Sequence, residues 1–298
     1  MTERADRLRG VLLMLAAVGV FAVMDALMKH ISVRYPAIQV ASLRGMSSLP
    51  FVVLMYALTG QARLLLPVRF GMHLLRGVLA VAMIWGFLWA LARASMADTY
   101  AVFMCAPLLV VLAAALLLRE KADPHTWFAV LAGLAGVFVI LRPSLAGIAS
   151  FAGLATFLSA IAYAFVVVLV RVLSRTETTA SMVFWFLLLL SIGAGLLALP
   201  VWVPILASDW IWIAGIGLTG WVAQYFLTEA FRLAPASLVA PFEYTAMIWA
   251  ISIDWFVWQA LPGARMLAGA AIIIAAGLYL MHRERIRFNR IFPSAKDP

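Results

Sequence analysis

Charged side chains inside apolar stretches are the residues of this sequence most able to do chemistry. Asp25 and Lys29 lie four residues apart in the first apolar stretch, and Arg44 lies in the second. Charge inside a membrane segment is costly, so such residues usually face the interior of a helix bundle and mark a substrate or ion pathway. We predict that these three residues form a gate near one membrane face, or an ion pair that orients the helices.

A second charged group is predicted near the opposite membrane face. Glu229 and Arg232 end one apolar stretch, and Glu243 lies early in the next. Two charged layers around an uncharged middle are what two gates would produce. The alternative is that the long side chains of Lys29 and Arg232 simply extend to the membrane surface. Asp25 and Glu243 are too short to reach far, which makes these two carboxylates the better gate candidates.

Pairs of polar and aromatic residues suggest a binding cavity. Trp85 and Trp89 are four residues apart, and Gln224 and Thr228 have the same spacing in a later stretch. Residues four apart lie on one side of a helix. We predict that these two faces line a central cavity for an amphiphilic solute with an apolar side chain. The alternative is that the tryptophans pack against neighbouring helices or lie at the lipid interface.

Three tyrosines within the apolar stretches complete the candidate binding set. A buried phenol needs a hydrogen-bond partner. A substrate carboxylate or amine would supply that partner, and so would a neighbouring backbone carbonyl. The candidate substrate-binding residues are therefore Trp85, Trp89, Tyr100, Tyr163, Gln224, Thr228 and Tyr244.

Prolines interrupt or open two of the apolar stretches. Pro107 lies in the fourth stretch, and Pro235 and Pro241 lie at and near the start of the ninth. A proline inside a helix frees a backbone carbonyl and permits bending. We predict that Pro107 and Pro241 are hinges, because bends in matching helices would suit alternating access.

The composition is that of a membrane protein. The chain has 298 residues, of which 66% are hydrophobic and 12% are charged, and its mean hydropathy is +1.05. The net charge of +9 comes from Lys and Arg at the ends of apolar runs, which is typical of orientation signals and not of nucleic-acid binding. The chain has one cysteine, four dispersed histidines and no glycine-rich nucleotide loop. We therefore expect no metal, no cofactor, no nucleic-acid partner and no ATP hydrolysis.

Ten apolar stretches have the length needed to cross a membrane. They are predicted at 10–31, 37–58, 71–92, 98–118, 125–141, 147–170, 178–199, 210–231, 237–258 and 264–282. The second five repeat the first, so that Ala97 matches Ala236 and Glu120 matches Gln259. An odd number of spans forces the two copies into opposite orientations, as in transporters that build two gates around one site.

The repeats set the predicted domain organisation and orientation. A segment at 1–9 precedes the first repeat at 10–142, and the second repeat at 147–282 precedes a tail at 283–298. Lys and Arg concentrate on the side of the two termini, which predicts that both are cytoplasmic. The fifth and tenth stretches are short and rich in small residues, which favours packing over a role in binding.

The sequence resembles the drug/metabolite transporter superfamily, specifically its EamA-type branch. Its motifs are Phe87-Leu88 with Arg93, repeated as Phe226-Leu227 with Arg232, then Arg119-Glu120-Lys121 after the fourth stretch, and Gly133 and Gly136 in the fifth. The resemblance implies an all-α membrane protein of ten helices in two inverted five-helix repeats. Within the branch the chain is most similar to YddG-type amino-acid exporters of bacterial inner membranes. Gln259 departs from the pattern, which has an acidic residue there.

These features predict a transporter of the bacterial inner membrane that is a monomer or a weak homodimer. It would export small amphiphilic metabolites, such as aromatic or other neutral amino acids, by alternating access around a cavity at the membrane midplane. The alternative within transport is an exporter of multiple drugs or cationic compounds. The alternatives of another class are a membrane-embedded enzyme and a channel.

Overall fold

The computed structural model describes residues 2–91, 93–94, 96–120, 123–259 and 263–291. In this part of the chain all regular structure is helical, and ten segments are long and apolar enough to cross a membrane. The predicted fold class is therefore confirmed. Lys121 and residues 292–298 of the predicted tail lie outside the described residues.

We number these segments span 1 to span 10. Spans 1 to 5 are the helices Thr2–Ile31, Ala37–Leu58, Phe70–Leu91, Met96–Phe103 with Ala106–Leu117, and Pro124–Leu141. Spans 6 to 10 are Phe151–Leu173, Thr179–Ala198, Trp210–Leu233, Ala236–Val239 with Ala246–Trp258, and Ala264–Ile291. Short 3₁₀ segments cover Ala62–Leu65, Leu199–Val201, Ala207–Asp209 and Ala240–Thr245, and a one-turn helix covers Leu145–Ile148.

Spans 4 and 9 are each interrupted, at matching places in the two repeats. The break in span 4 falls at residues 104–105, and the break in span 9 is the 3₁₀ segment Ala240–Thr245. Pro107 lies in the first turn after the first break, and Pro241 lies in the first turn of the 3₁₀ segment. Proline has no N–H to continue an α-helical ladder. Ala101 and Ala240 occupy matching positions in the two repeats. At the same offset, residues 104–105 correspond to residues 243–244, so the two breaks fall at equivalent places.

The packing of the spans has the two-fold relation that two inverted copies require. Span 1 packs against span 8, and their repeat partners, spans 6 and 3, pack against each other. Span 4 packs on span 6 as span 9 packs on span 1. Spans 2 and 7 pair with each other, and so do spans 5 and 10. Exchanging the repeats therefore maps each of these contacts onto another contact of the same group.

The largest differences from the predicted boundaries are in spans 1, 6 and 10, and span 1 begins at Thr2 and not at residue 10. Span 6 begins at Phe151 and not at 147, because the Ser150 hydroxyl caps it by accepting the Gly153 N–H at 3.1 Å. The residues before it form a separate turn, which Ser144 caps by accepting the Gly147 N–H. Span 10 is one of the longest helices and not a short one, since it continues to Ile291.

Glycines bring spans 5 and 10 into close contact. A Cβ at Gly136 would lie 2.9 Å from the backbone oxygen of Gly269 and 2.8 Å from the side chain of Ile273. Its predicted repeat partner, Gly277, has more room, because a Cβ there would lie 3.6 Å from Phe242. Packing of spans 5 and 10 through small residues, which the sequence predicts, is therefore present within one chain.

Gly136→Ala is expected to destabilise the protein by about 1–3 kcal/mol, because the added methyl group meets fixed backbone in a close-packed contact. Gly277→Ala is the matched control, since its methyl group would make an ordinary van der Waals contact. The measurement is the thermal unfolding midpoint in detergent. Equal midpoints for the two variants would contradict this account of the contact between spans 5 and 10.

A buried carboxylate ties the start of span 3 to the turn between spans 6 and 7. Glu177 accepts the N–H groups of Val68 and Arg69 at 2.8 and 2.6 Å and the Ser181 hydroxyl at 3.0 Å. Nε2 of His73, in span 3, lies 3.2 Å from Glu177 Oε1, the same oxygen that accepts the two N–H groups. Burial disfavours the charged carboxylate, but these hydrogen bonds and His73 outweigh it, so the pKa of Glu177 lies below its ordinary value. Glu177 therefore favours the folded state most in its ionised form.

The stabilisation from Glu177 is expected to disappear in acid. A carboxyl whose pKa is lower in the folded than in the unfolded state adds stability above the unfolded pKa, and this is lost as the pH falls through the folded pKa. The unfolding midpoint of the wild type should therefore exceed that of Glu177→Gln at pH 7, and the difference should shrink once the pH falls below the ordinary Glu value of 4.5. A difference that stays constant down to pH 4 would contradict this prediction.

Candidate functional site

Two opposite charges face each other inside the bundle. Asp25 of span 1 and Arg44 of span 2 interact electrostatically, and span 8 packs against both spans. Protein surrounds the Asp25 carboxyl, yet the residue is exposed. We interpret Asp25 as lining the cavity that the sequence predicts. The Arg44 guanidinium lies 5.1 Å from the ring centre of Phe21, also in span 1.

The Arg44 side chain has unused hydrogen-bonding capacity. Its Nε is buried and has no acceptor among the described residues. A buried donor without a partner carries a desolvation penalty. Neither Asp25 nor any other described carboxylate lies within salt-bridge distance of Arg44, so the charges attract across a gap. The pair therefore offers a donor and an acceptor of opposite charge on one cavity wall.

A run of aromatic rings leads away from this charged pair. Asp25 interacts electrostatically with the Tyr100 phenol of span 4. Tyr100 packs edge-on against Phe87 at 5.3 Å between ring centres, and Phe87 against Phe103 at 5.0 Å. Phe103 in turn lies 6.1 Å from Tyr163 of span 6. The rings thus join spans 3, 4 and 6 and give the cavity an apolar, aromatic surface.

Glu243 and Tyr244 lie at the far end of this run, in the interrupted part of span 9. Glu243 interacts with the Tyr163 phenol, and its Oε1 is buried without a hydrogen-bond partner. The Tyr244 hydroxyl is also buried and unpartnered. The ring of Tyr244 fits against Gly133, where a Cβ would come within 2.4 Å of it. The Tyr244 phenol also interacts electrostatically with Cys105, which lies at the matching break in span 4.

The interior is therefore not the uncharged middle that the sequence predicts. Tyr163 lies near the centre of span 6, which runs from Phe151 to Leu173, and Glu243 lies beside it. The sequence predicts Glu243 in one layer with Glu229 and Arg232, because in unbroken helices the distance along the chain gives the depth in the membrane. The break in span 9 changes that relation. Paired interrupted helices are typical of transporter binding sites at the membrane midplane.

Glu229 and Arg232 form an ion pair away from the rings. Arg232 Nε donates to Glu229 Oε2 at 2.8 Å, and the Thr179 hydroxyl donates to the same carboxylate at 2.5 Å. The pair ties the end of span 8 to the start of span 7. Lys29, the remaining charged candidate, is exposed.

A second network closes the same end of the bundle, and we call it the Arg171 seal. Arg171 of span 6 donates through Nε to Glu120 Oε1 at 3.1 Å and through Nη1 to the backbone oxygens of Phe231 and Arg232, each at 3.1 Å. Glu120 also accepts the Ser237 N–H at 3.3 Å. The seal joins spans 4, 6, 8 and 9. Under the predicted orientation it closes the cytoplasmic end.

Four of the predicted binding residues lie apart from the ring system in the described residues. Trp85 is 53% exposed, and Trp89 carries the Arg93 guanidinium 4.2 Å above its ring. Gln224 is buried and donates to the Thr228 hydroxyl at 3.5 Å. The amide and hydroxyl thus satisfy each other within one helix. The structure brings together Asp25, Arg44, Tyr100, Tyr163, Glu243 and Tyr244.

Sequence reasoning missed Phe103 and used Phe87 only as a motif residue. Phe103 follows Tyr100 by three residues, a spacing that places both on one helix face, so a signal was present. The register of the repeat also needs a correction. Arg119 and Gln259 share a left-handed backbone with φ of 54°, so Gln259 corresponds to Arg119 and not to Glu120.

Comparison with known proteins supports this architecture. The family model of the EamA-like transporter family matches residues 8–142 and again 150–282. One solved crystal structure superposes with a TM-score of 0.81 at 20% identity, covering 94% of this chain and 99% of the other. That likeness concerns the fold.

Three curated relatives match over most of their length. A riboflavin transporter of Vibrio cholerae is 32% identical over 97% of this chain and 98% of its own. A pseudopaline exporter of Pseudomonas aeruginosa is 30% identical over 93% of this chain and 97% of its own. An S-adenosylmethionine uptake transporter of Rickettsia conorii is 25% identical over 89% of this chain and 90% of its own. The names of these relatives support the EamA family but not the narrower prediction of a YddG-type amino-acid exporter.

Proposed function

The chain belongs to the EamA-like transporter family, and on this premise we propose that it exports a small zwitterionic metabolite with an aromatic or apolar part. Aromatic and other neutral amino acids are the simplest members of that class. Transport proceeds by alternating access across a bacterial inner membrane, with both termini cytoplasmic and the protein a monomer or weak homodimer.

The observation that carries this proposal is the buried Arg44 Nε without an acceptor, opposite an accessible Asp25. A substrate carboxylate supplies the acceptor that Arg44 lacks, because a guanidinium binds carboxylates by charge-assisted hydrogen bonds. A substrate ammonium group binds Asp25. The substrate side chain then lies on the rings of Phe87, Tyr100 and Phe103.

A second candidate substrate is riboflavin or another flat aromatic metabolite. The specific support is the identity of 32% to a riboflavin transporter over nearly the whole chain, together with the run of aromatic rings. A flavin has no ammonium or carboxylate group, so it would offer Asp25 and Arg44 only neutral hydrogen-bond partners, which bind a charged group less strongly than an opposite charge does. The charged pair is the reason that we favour the zwitterion.

Counterflow into liposomes tests the proposal. Vesicles loaded with unlabelled metabolite should take up labelled phenylalanine or tryptophan, and riboflavin, S-adenosylmethionine and a quaternary ammonium dye complete the panel. Movement of the amino acids is the expected result. Movement of the dye alone would instead support a multidrug exporter. In a separate electrical recording, single-channel currents would support a channel. Movement of riboflavin alone would favour the second candidate.

A further inference from the structure

Glu243 has a position that substrate binding at Asp25 and Arg44 does not explain. It lies in the 3₁₀ segment Ala240–Thr245 that interrupts span 9, at the level of the matching break in span 4. The i→i+3 hydrogen bonds of a 3₁₀ segment have poorer geometry than those of an α-helix, and a 3₁₀ stretch inside a helix often marks a hinge. Glu243 is thus attached to the part of the fold most suited to switching between two arrangements.

Among the described residues, no lysine or arginine interacts electrostatically with Glu243. Its Oε1 is buried without a donor, and the described titratable groups near it are Tyr163 of span 6, Tyr244 of span 9 and Cys105 of span 4, which interacts with Tyr244. Spans 1, 5 and 10 contribute apolar residues to the core in which Phe242 and Tyr244 are buried. The other interior carboxylate, Asp25, has Arg44 across the cavity.

This difference between the two carboxylates has a chemical consequence. An ionised carboxylate in an apolar interior without a cation is strongly disfavoured. Binding one proton removes the charge without any other ion, whereas Asp25 already has a fixed counter-charge. The geometry therefore gives the two carboxylates different tasks.

We propose that Glu243 is the proton-carrying residue that couples substrate export to proton entry. The proposal rests on the proposed function. In each cycle an O–H bond forms when the carboxylate takes a proton from the outer solution, and it breaks when Glu243 faces the cytoplasm and releases the proton. The Tyr163 hydroxyl donates a hydrogen bond to the ionised form. A substrate bound on the aromatic rings contacts Phe103, which packs against Tyr163. Because Tyr163 interacts with Glu243, the bound substrate changes how readily Glu243 binds a proton.

The functional test uses full-length protein in liposomes with and without a pH gradient. In the wild type, an outward-directed proton gradient (acid inside the liposome) is expected to drive accumulation of labelled amino acid in the lumen against its concentration, because substrate and proton cross in opposite directions. In Glu243→Gln, which keeps the shape but cannot ionise, all of the gradient-dependent accumulation should be lost, and the remaining counterflow should not vary with pH. Glu243→Asp should restore the dependence on pH. Gradient-driven accumulation by Glu243→Gln would overturn the proposal.

A substrate-independent measurement keeps the proposal testable if no tested metabolite moves or if the variant is inactive. One component of the infrared band of protonated carboxyl groups should be present in the wild type and missing from Glu243→Gln, and this component should change as the pH is varied. A wild-type spectrum identical to that of Glu243→Gln at every pH would overturn the proton assignment. Wild-type counterflow without any effect of pH would also overturn it while leaving the proposed function intact.

Discussion

Arg44→Ala is expected to reduce transport of a zwitterionic substrate by about a hundredfold or more. Truncating one partner of a buried, charge-assisted contact costs about 2–5 kcal/mol, part of which is the cost of leaving the other charge unpaired. Two interactions are lost in this variant, because the substrate carboxylate loses its donor and Asp25 loses its counter-charge. The measurement is the initial rate of counterflow in liposomes.

Arg63→Ala is the matched control, because Arg63 is exposed in the 3₁₀ segment Ala62–Leu65. It should transport at the wild-type rate. Arg44→Lys should fall between the two, since lysine keeps the charge and loses the planar pair of donors. Transport by Arg44→Ala at the rate of the control would contradict the assignment of Arg44 to the binding site.

Arg171→Met is expected to open the end of the bundle that the Arg171 seal closes. The variant keeps an unbranched, flexible side chain but removes the guanidinium and its hydrogen bonds to Glu120 and to the carbonyls of Phe231 and Arg232. Losing about 1.4 kcal/mol of that stabilisation shifts the equilibrium towards the open form about tenfold.

Cys105 is the natural reporter for this opening. It is the single cysteine of the chain, and it lies at the break in span 4. Its reaction with a thiol reagent that does not cross membranes should become about tenfold faster from the seal side in Arg171→Met. Arg175→Met is the control, because Arg175 is exposed near the same end. Equal labelling rates in both variants would show that the Arg171 network does not hold this end closed.

Much of the fold follows from the sequence, for a simple physical reason. The length of an apolar run is set by the thickness of the membrane, so ten runs give ten spans. The cost of charge in the membrane interior also singled out Asp25, Arg44 and Glu243. None of these inferences requires knowing how each helix is rotated about its own axis relative to its neighbours.

The binding site could not be derived in the same way, because it depends on those rotations. At the offset that matches Ala97 with Ala236, Trp85 corresponds to Gln224, yet Trp85 is 53% exposed and Gln224 only 3%. Equivalent positions therefore do not have equivalent surroundings. Glu243 was assigned to the wrong layer because the break in span 9 separates distance along the chain from depth in the bundle. The partner of each carboxylate is set by packing between spans, which the sequence does not encode locally.

The most direct test of the Asp25–Arg44 site is the binding of one amino acid and its two truncated analogues to purified protein. The ligands are phenylalanine, the same molecule without its amine, and the same molecule without its carboxylate. The wild type should prefer phenylalanine over both analogues by about tenfold or more. Arg44→Gln should lose only the preference for the carboxylate, and Asp25→Asn only the preference for the amine. If both variants keep the wild-type order of affinities, the two charges do not bind the substrate and the central claim is wrong.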